Sequence, residues 1–266
     1  MKPLFASTHL LLGMAVSMSL LPCALAQHPV SSADTTTVAE QYLLSAANQE
    51  RASRNLPLLH RDPNLARAAA QHAQVMAAHA SISHQFPGEP ELSSRGASMG
   101  VAFSRISENV AEAPSAVQIH DMWMNSPGHR ANLLDPAVDA VGIRVIDRDG
   151  ELYAVEDFAR LVPATSLEDQ EFAIRALIAQ LGRIALTNTP DDISAARHTC
   201  AMDTGYAGPR KPLFTMRFTS SSLTQLPGEL KARLTSGRYH QAAVGACSSN
   251  STGPFTSYNV AVLLYP

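Results

Sequence analysis

An apolar-periodic run ends on Trp123 and is cut at Ser126-Pro127, where the chain must start again. Ser before Pro is a helix N-cap followed by a first-turn residue, because proline lacks the N–H that would be orphaned there anyway. The cut predicts two helices meeting at a sharp corner. The second is short and carries His129 in its first turn. The N-cap role would occupy the Ser126 hydroxyl, so a Ser126–His129 nucleophile pair is disfavoured. A rigid corner that presents an imidazole is an unusual thing to build for packing alone.

The remainder must be a folded chain. Its 266 residues are 45% hydrophobic and 16% charged, enough for two modest domains. A net charge of −3 gives no broad attraction to nucleic acid or anionic lipid. The first residues read as an export signal: Lys2, an apolar Leu10 to Leu21, and a small-x-small site at Ala24-Leu25-Ala26. Cleavage after Ala26 removes Cys23, leaves no transmembrane candidate and places the chain in the periplasm or outside the cell. Two cysteines then remain, Cys200 and Cys247, and in an exported chain one disulfide is the simplest reading; two buried thiols are the alternative.

Residues 27–37 are polar and read as a flexible lead. Helical spacing runs from Val38 to Arg54. Asp62-Pro63 starts a second helix, Ala-rich, with Leu65, Ala68, Ala69, His72, Ala73 and Met76 on its stripe. His72 and His79 on that helix read as packing or surface residues. The stretch 85–105, broken by Pro87-Gly88, Pro90, Gly96 and Gly100, reads as a long loop that shapes a site. Ile106 to Ala111 follows, with Glu108 and Asn109 embedded among apolar residues, Pro114-Ser115 starts a third helix, and Asp139 to Ile146 and Glu151 to Arg160 form a hairpin through Asp149-Gly150. Leu161 to Ser166 is the expected boundary. Beyond it, Leu167 to Ala185 reads as a helix, 188–196 as a polar loop, and His198 to Met202, Pro212 to Ser220, Ala242 to Ser248 and Thr256 to Tyr265 as strands. Asn250-Ser251-Thr252 fits a glycosylation sequon. A faint echo links Pro127-Gly128, Leu134 and Ala140-Val141-Gly142 to Pro227-Gly228, Leu234 and Ala243-Val244-Gly245. Matches this short are cheap, so chance explains them better than a decayed copy.

Several motifs, in order, carry a resemblance. Trp123-x-x-Ser-Pro-Gly-His129-Arg-x-Asn-x-Leu resembles the signature of the bacterial SCP-like branch of the CAP superfamily (cysteine-rich secretory proteins, antigen 5, pathogenesis-related 1). Leu44 to Arg51 with Asn48, Ser83-His84, and Ser107-Glu108-Asn109-Val110 resemble the family's other motifs, and Val141-Gly142-Ile143 and Tyr153 to Phe158 its closing strands. The resemblance covers about residues 38–162. It implies a three-layer α-β-α sandwich with an antiparallel sheet, followed here by a smaller β-rich domain with one leading helix over 163–266, α+β overall. It also implies one central cleft holding His84, Glu108 and His129. Two departures stand out: Ser126 replaces a second Glu of the fuller tetrad, and Ser107 replaces the Gly before the Glu.

Two imidazoles and a carboxylate from separate segments suit a divalent cation or a proton transfer. His84 and His129 are the expected metal ligands. Glu108 would either bind directly or order the loop through backbone groups. The expected cofactor is a weakly held zinc, magnesium or calcium ion. Three roles remain open: a binding module for a small apolar ligand, peptide or cell-envelope component; a metal-assisted hydrolase with Glu108 as base; and a scaffold with a vestigial cleft. Whether the chain is an enzyme stays undecided at this level.

Overall fold

The computed structural model describes residues 36–248 and 253–266. The expected export signal, Cys23, most of the expected lead and the sequon lie outside the described residues. Residues 36–266 form one compact unit built on two four-stranded sheets.

The first sheet has the order β1-β3-β4-β2: β1 (His60–Arg61), β2 (Phe103–Ala113), β3 (Ala140–Arg148) and β4 (Glu151–Leu161). Only β1 runs parallel to its neighbour; the others are antiparallel. The β3–β4 hairpin turns at Asp149-Gly150, both at positive φ (57° and 85°), as a tight two-residue turn requires. One face is covered by α1 (Val38–Ala52), α4 (Ala116–Asn125) and α5 (Pro127–Leu133). There Leu43, Ala47, Ile119, Trp123 and Leu133 pack on Val141, Ile143, Val145, Ala154 and Phe158. The other face carries α2 (Pro63–His79) and α3 (Leu92–Ser98), packed on Val110, Val155, Phe103 and Ala159. The three-layer expectation holds. The segment 85–105 is not all loop: α3 lies inside it, and Phe103 already belongs to β2.

Sequence signals set these elements. Asp62 accepts from the N–H groups of Asn64 and Leu65 ahead of Pro63, and Thr37 with Glu40 closes a full capping box. Asn48 clamps Leu59 through both N–H and C=O at 2.8 and 2.9 Å. Arg51, fully buried, donates to the carbonyls of Pro57, Leu133, Asp135 and Val138 at 2.7 to 3.2 Å. It therefore joins the end of α1 to the turn after α5. Each buried carbonyl left without a donor costs about 1–3 kcal/mol. Arg51→Met is expected to lower unfolding free energy by about 3 kcal/mol with an unchanged urea slope. A shift below about 1 kcal/mol would mean water replaces the guanidinium.

The second sheet, order β5-β7-β8-β6, contains β5 (Ala185–Leu186), β6 (Phe214–Ser220), β7 (Gln241–Cys247) and β8 (Tyr258–Tyr265). The region is β-rich behind a leading helix, α6 (Leu167–Ala179), as expected, though that helix stops six residues early and two further helices are present. Residues 190–200, expected as loop and strand, form α7 (Pro190–Cys200). Thr189 caps it, Pro190 fills its first position, Asp191 and Asp192 sit in its first turn and Arg197 and His198 in its last. α8 (Gly228–Thr235) follows β6. Cys200 and Cys247 are joined, their Cα atoms 5.7 Å apart, pinning the end of α7 to the end of β7.

The two sheets have one topology. In both, a short first strand runs parallel to the third, and the third, fourth and second follow antiparallel. Helices α6 and α8 lie on one face and α7 on the other. The leading helices even match residue by residue. Glu40, Leu43 and Ala47 are buried in α1; Glu171, Ile174 and Ile178 are buried at the same spacing in α6. Because β1 and β5 cover only two residues of the next strand, N–H groups beyond them lack a strand partner. Glu40 accepts from Val145 N–H and Glu171 from Ala246 N–H, each four residues past the last parallel pair. The repeat is thus present in the fold, which chance does not explain. The short sequence match nonetheless misaligns it. Pairing sets Val141 against Ala242 in the two copies, whereas the matched letters set it against Val244. The halves are linked by Thr256 N–H to the Phe103 carbonyl at 2.8 Å, by the Phe103–Phe255 ring pair, and by Tyr258 to the Pro163 carbonyl at 2.6 Å.

Candidate functional site

The site lies over β2, the edge strand of the first sheet, where elements from both faces meet. From one side comes the segment after α2. Ala80, in the left-handed region (φ 47°), ends that helix and sends the chain toward β2. His72, fully buried in α2, then holds the segment in place. One ring nitrogen faces the Ser83 carbonyl and the other Glu89, both at 2.7 Å. Glu89 also accepts from the Phe86 N–H at 3.1 Å. This grip on Ser83 fixes the neighbouring His84.

From the other side comes α5. Trp123, fully buried, donates its indole N–H to the Val110 carbonyl at 3.1 Å. The Asn132 amide donates to the Glu108 carbonyl and to Asn109 Oδ1, and Asn109 donates to the His129 carbonyl, all at 3.1 Å. Side chains therefore cover the carbonyls of an edge strand that would otherwise be open to pairing. The same bonds place His129. The Ser126 hydroxyl does not cap α5, contrary to expectation; only its backbone carbonyl closes the first turn, accepting from Arg130. Arg130 donates to the Met124 carbonyl instead of pairing with Asp135 or Glu108.

The structure brings His84, Glu108 and His129 together. The two rings stand 6.4 Å apart between centroids, tilted by 50°. His84 Nδ1 lies 2.9 Å from Glu108 Oε1, and Arg95 donates to Glu108 Oε2. A carboxylate held by a guanidinium is an acceptor, so Nδ1 carries hydrogen and the neutral ring keeps its lone pair on Nε2. That bond raises the His84 pKa, whereas burial, and then the charge of His84, lowers that of His129. Opposite Glu108 in the ladder sits Asp157, fully buried; burial first and the Glu108 charge second hold its carboxyl well above the ordinary range. Among the described residues no group of three or more His, Cys, Asp or Glu side chains is placed to hold a metal. The donors that could do so are the two imidazoles. They suit zinc or another imidazole-binding cation but fall one short of the usual three protein ligands. A cavity of about 770 Å³, lined by Ala113, Pro114 and Met122 and rimmed by Glu112, Asp121 and Glu151, reaches Ser126 but is not bordered by His84, Glu108 or His129.

Sequence reasoning missed His72, Glu89 and Arg95. His72 carried a usable signal, since a ring inside an apolar stripe must find buried partners. Arg95 lay in a stretch whose glycines and prolines read as loop.

Residues 44–158 match the model of the cysteine-rich secretory protein family, CAP. This part of the chain is a CAP domain. It resembles YkwD of Bacillus subtilis, at 26% identity over 118 residues, 44% of this chain and 46% of that protein. Solved structures with a similar part include an extracellular SCP-domain protein from Bacillus anthracis (31% identity, 45% of this chain and 39% of that one, TM-score 0.42). Another is an outer surface protein of Borrelia burgdorferi (23% identity, 48% of this chain and 96% of that one, TM-score 0.45). The chain spans less than half the length of YkwD. The second sheet lies outside the CAP match. Aligned on the shared strand register, it has Thr215 for Glu108, Met216 for Asn109, Val262 for Glu156 and Leu263 for Asp157. At the matched Pro-Gly, Glu229 stands for His129, and it pairs with Arg233. The second half repeats the framework of the first without its His–Glu–His cluster.

Proposed function

We propose that the chain is an exported binding module whose CAP cleft takes a divalent cation between His84 and His129, beside a pocket for a small apolar, peptide or envelope ligand. The observation that carries this is the meeting of two imidazoles brought from opposite faces of the sheet, 6.4 Å apart between centroids, one of them exposed and bonded through Nδ1 to a buried carboxylate. Carboxylate–imidazole–metal is a recurring arrangement, in which the carboxylate orients the ring. The export signal and the joined cysteines support an oxidising compartment. No helix of the described residues is long and apolar enough to cross a membrane. A hydrolase reading needs a free base, and both Glu108 oxygens are engaged. Zinc titrated by calorimetry into the wild type, His84→Ala and His129→Ala is the test. Each variant is expected to lose at least about tenfold in affinity. Equal heats in all three would remove the cation from the cleft.

A further inference from the structure

We propose that a second cleft, between α2 and the segment that joins it to α3, is a glycan site that takes N-acetylated amino-sugar units. It goes beyond the cation reading: none of His84, Glu108 and His129 lines it.

The cleft holds about 550 Å³, within the range of about 300–1,000 Å³ typical of small-ligand sites. One wall is a held ring. His79 stacks on Phe86 with centroids 4.6 Å apart and planes 9° from parallel, and Phe86 is packed in turn on Ala73, Met76 and Val110. His79 itself is exposed and lines the cleft. A flat π surface fixed in this way suits the C–H face of a pyranose ring, since the ring face is electron-rich and the C–H groups are weakly positive. On the same helix, Gln71 and Gln74 are exposed, three residues apart and therefore on one side. Each amide both donates and accepts, as sugar hydroxyls do.

The floor adds a requirement. Arg95 lines the cleft yet is only 1% exposed, and its Nε–H meets no acceptor among the described residues. Its terminal nitrogens are engaged by Glu108 Oε2 and the Pro90 carbonyl. A buried N–H without an acceptor is costly, so a ligand that brings a carbonyl to this depth is favoured. An acetamido group does so, and its methyl suits the apolar side of Val75 and Pro90. The charges of the lining balance. Besides the imidazole they are Arg95 and Glu89, 3.7 Å apart, and Glu89 is also held by His72 and the Phe86 N–H. An anion would have to face Glu89 and a cation Arg95, which leaves a neutral, hydroxyl-rich ligand. A proline-rich peptide would fit a ring-lined groove but has few N–H groups to offer the amide oxygens of Gln71 and Gln74.

Calorimetry with the trimer of N-acetylglucosamine is the test. Wild type is expected to bind it, and to bind cellotriose, which lacks the acetamido groups, at least about tenfold more weakly. His79→Ala and the double variant Gln71→Ala/Gln74→Ala, all at exposed positions, should each weaken the trimer at least about tenfold. His129→Ala, outside the cleft, should leave it unchanged. Absence of trimer binding to a wild type that is folded by circular dichroism overturns the proposal, whatever that protein does with zinc. Equal affinity for the two sugars overturns it as well, as does a loss in His129→Ala with none in His79→Ala. Binding of decaproline but not of the trimer would make the cleft a peptide site and also overturn it.

Discussion

Gly142→Ala is expected to leave no stably folded CAP domain. A Cβ at Gly142 would stand 2.1 Å from the carbonyl carbon of Leu65 and 2.3 Å from the nitrogen of Ala66. Both are backbone atoms of a helix turn, so no rotamer change can make room. Helix α2 would have to lift from β3, opening the packing of Leu65, Ala140 and Ala159 along that face. The expected loss exceeds about 4 kcal/mol, beyond the ordinary range for one methyl group. Gly245→Ala should do the same to the second sheet, where a Cβ would lie 2.2 Å from Arg197 N and 2.3 Å from the carbonyl carbon of Ala196. The control is Gly128→Ala, where a Cβ meets nothing within 4 Å and the helix gains a better former. Denaturant midpoints would decide the matter. A Gly142→Ala midpoint near that of Gly128→Ala would show that α2 does not ride on β3 as described.

This close approach explains part of what the sequence could and could not disclose. The first-half elements were legible because their boundaries carry local chemistry: Asp62-Pro63, Pro114-Ser115, Ser126-Pro127, Asp149-Gly150. The same chemistry was present at Thr189-Pro190-Asp191-Asp192, but a low apolar content masked it, and α7 went unread. Its buried face is Ala195 and Ala196, small residues that pack backbone to backbone over Gly245 and leave little hydrophobic periodicity. α3 was hidden for a related reason, because Gly96 serves contact with β2 at the expense of helix propensity. The site was legible in its three motif residues. Its supports were not, since Arg95 and Glu89 reach Glu108 and His72 across long loops, and nothing local in a sequence encodes such a meeting.

The repeated framework shows which residues the fold itself needs. A glutamate on the leading helix, a glycine under the middle helix and apolar β-strand ladders occur in both halves. Buried acids on the sheet itself do not. Glu108, Glu156 and Asp157 crowd the first sheet, and apolar residues or a threonine stand at their counterparts. A sheet of this topology is complete without them, so their desolvation is a cost that packing does not explain.

Glu156→Gln measures that cost, with a sign that depends on pH. Glu156 is fully buried, and neither carboxyl oxygen has a well-aligned donor. Burial raises its pKa from 4.5 to about 8, with the Asn109 amide pulling weakly the other way. The folded value lies above the unfolded one, so the favourable contribution is complete below pH 4.5 and is lost as pH rises toward 8. Stability should fall by about 1.4 kcal/mol per pH unit across that window and level off above it. Glutamine keeps the shape and removes the proton. At about pH 5 the variant should match wild type within about 1 kcal/mol, since the new amide hydrogens also need partners. At about pH 8 it should be more stable by on the order of 4 kcal/mol, after allowing for relaxation around the charge. Asp157 and other buried acids add their own slopes to both proteins, so the difference between the two curves isolates Glu156. Parallel curves across that whole window would mean that Glu156 is ionised in the fold and that a donor, not burial, governs it.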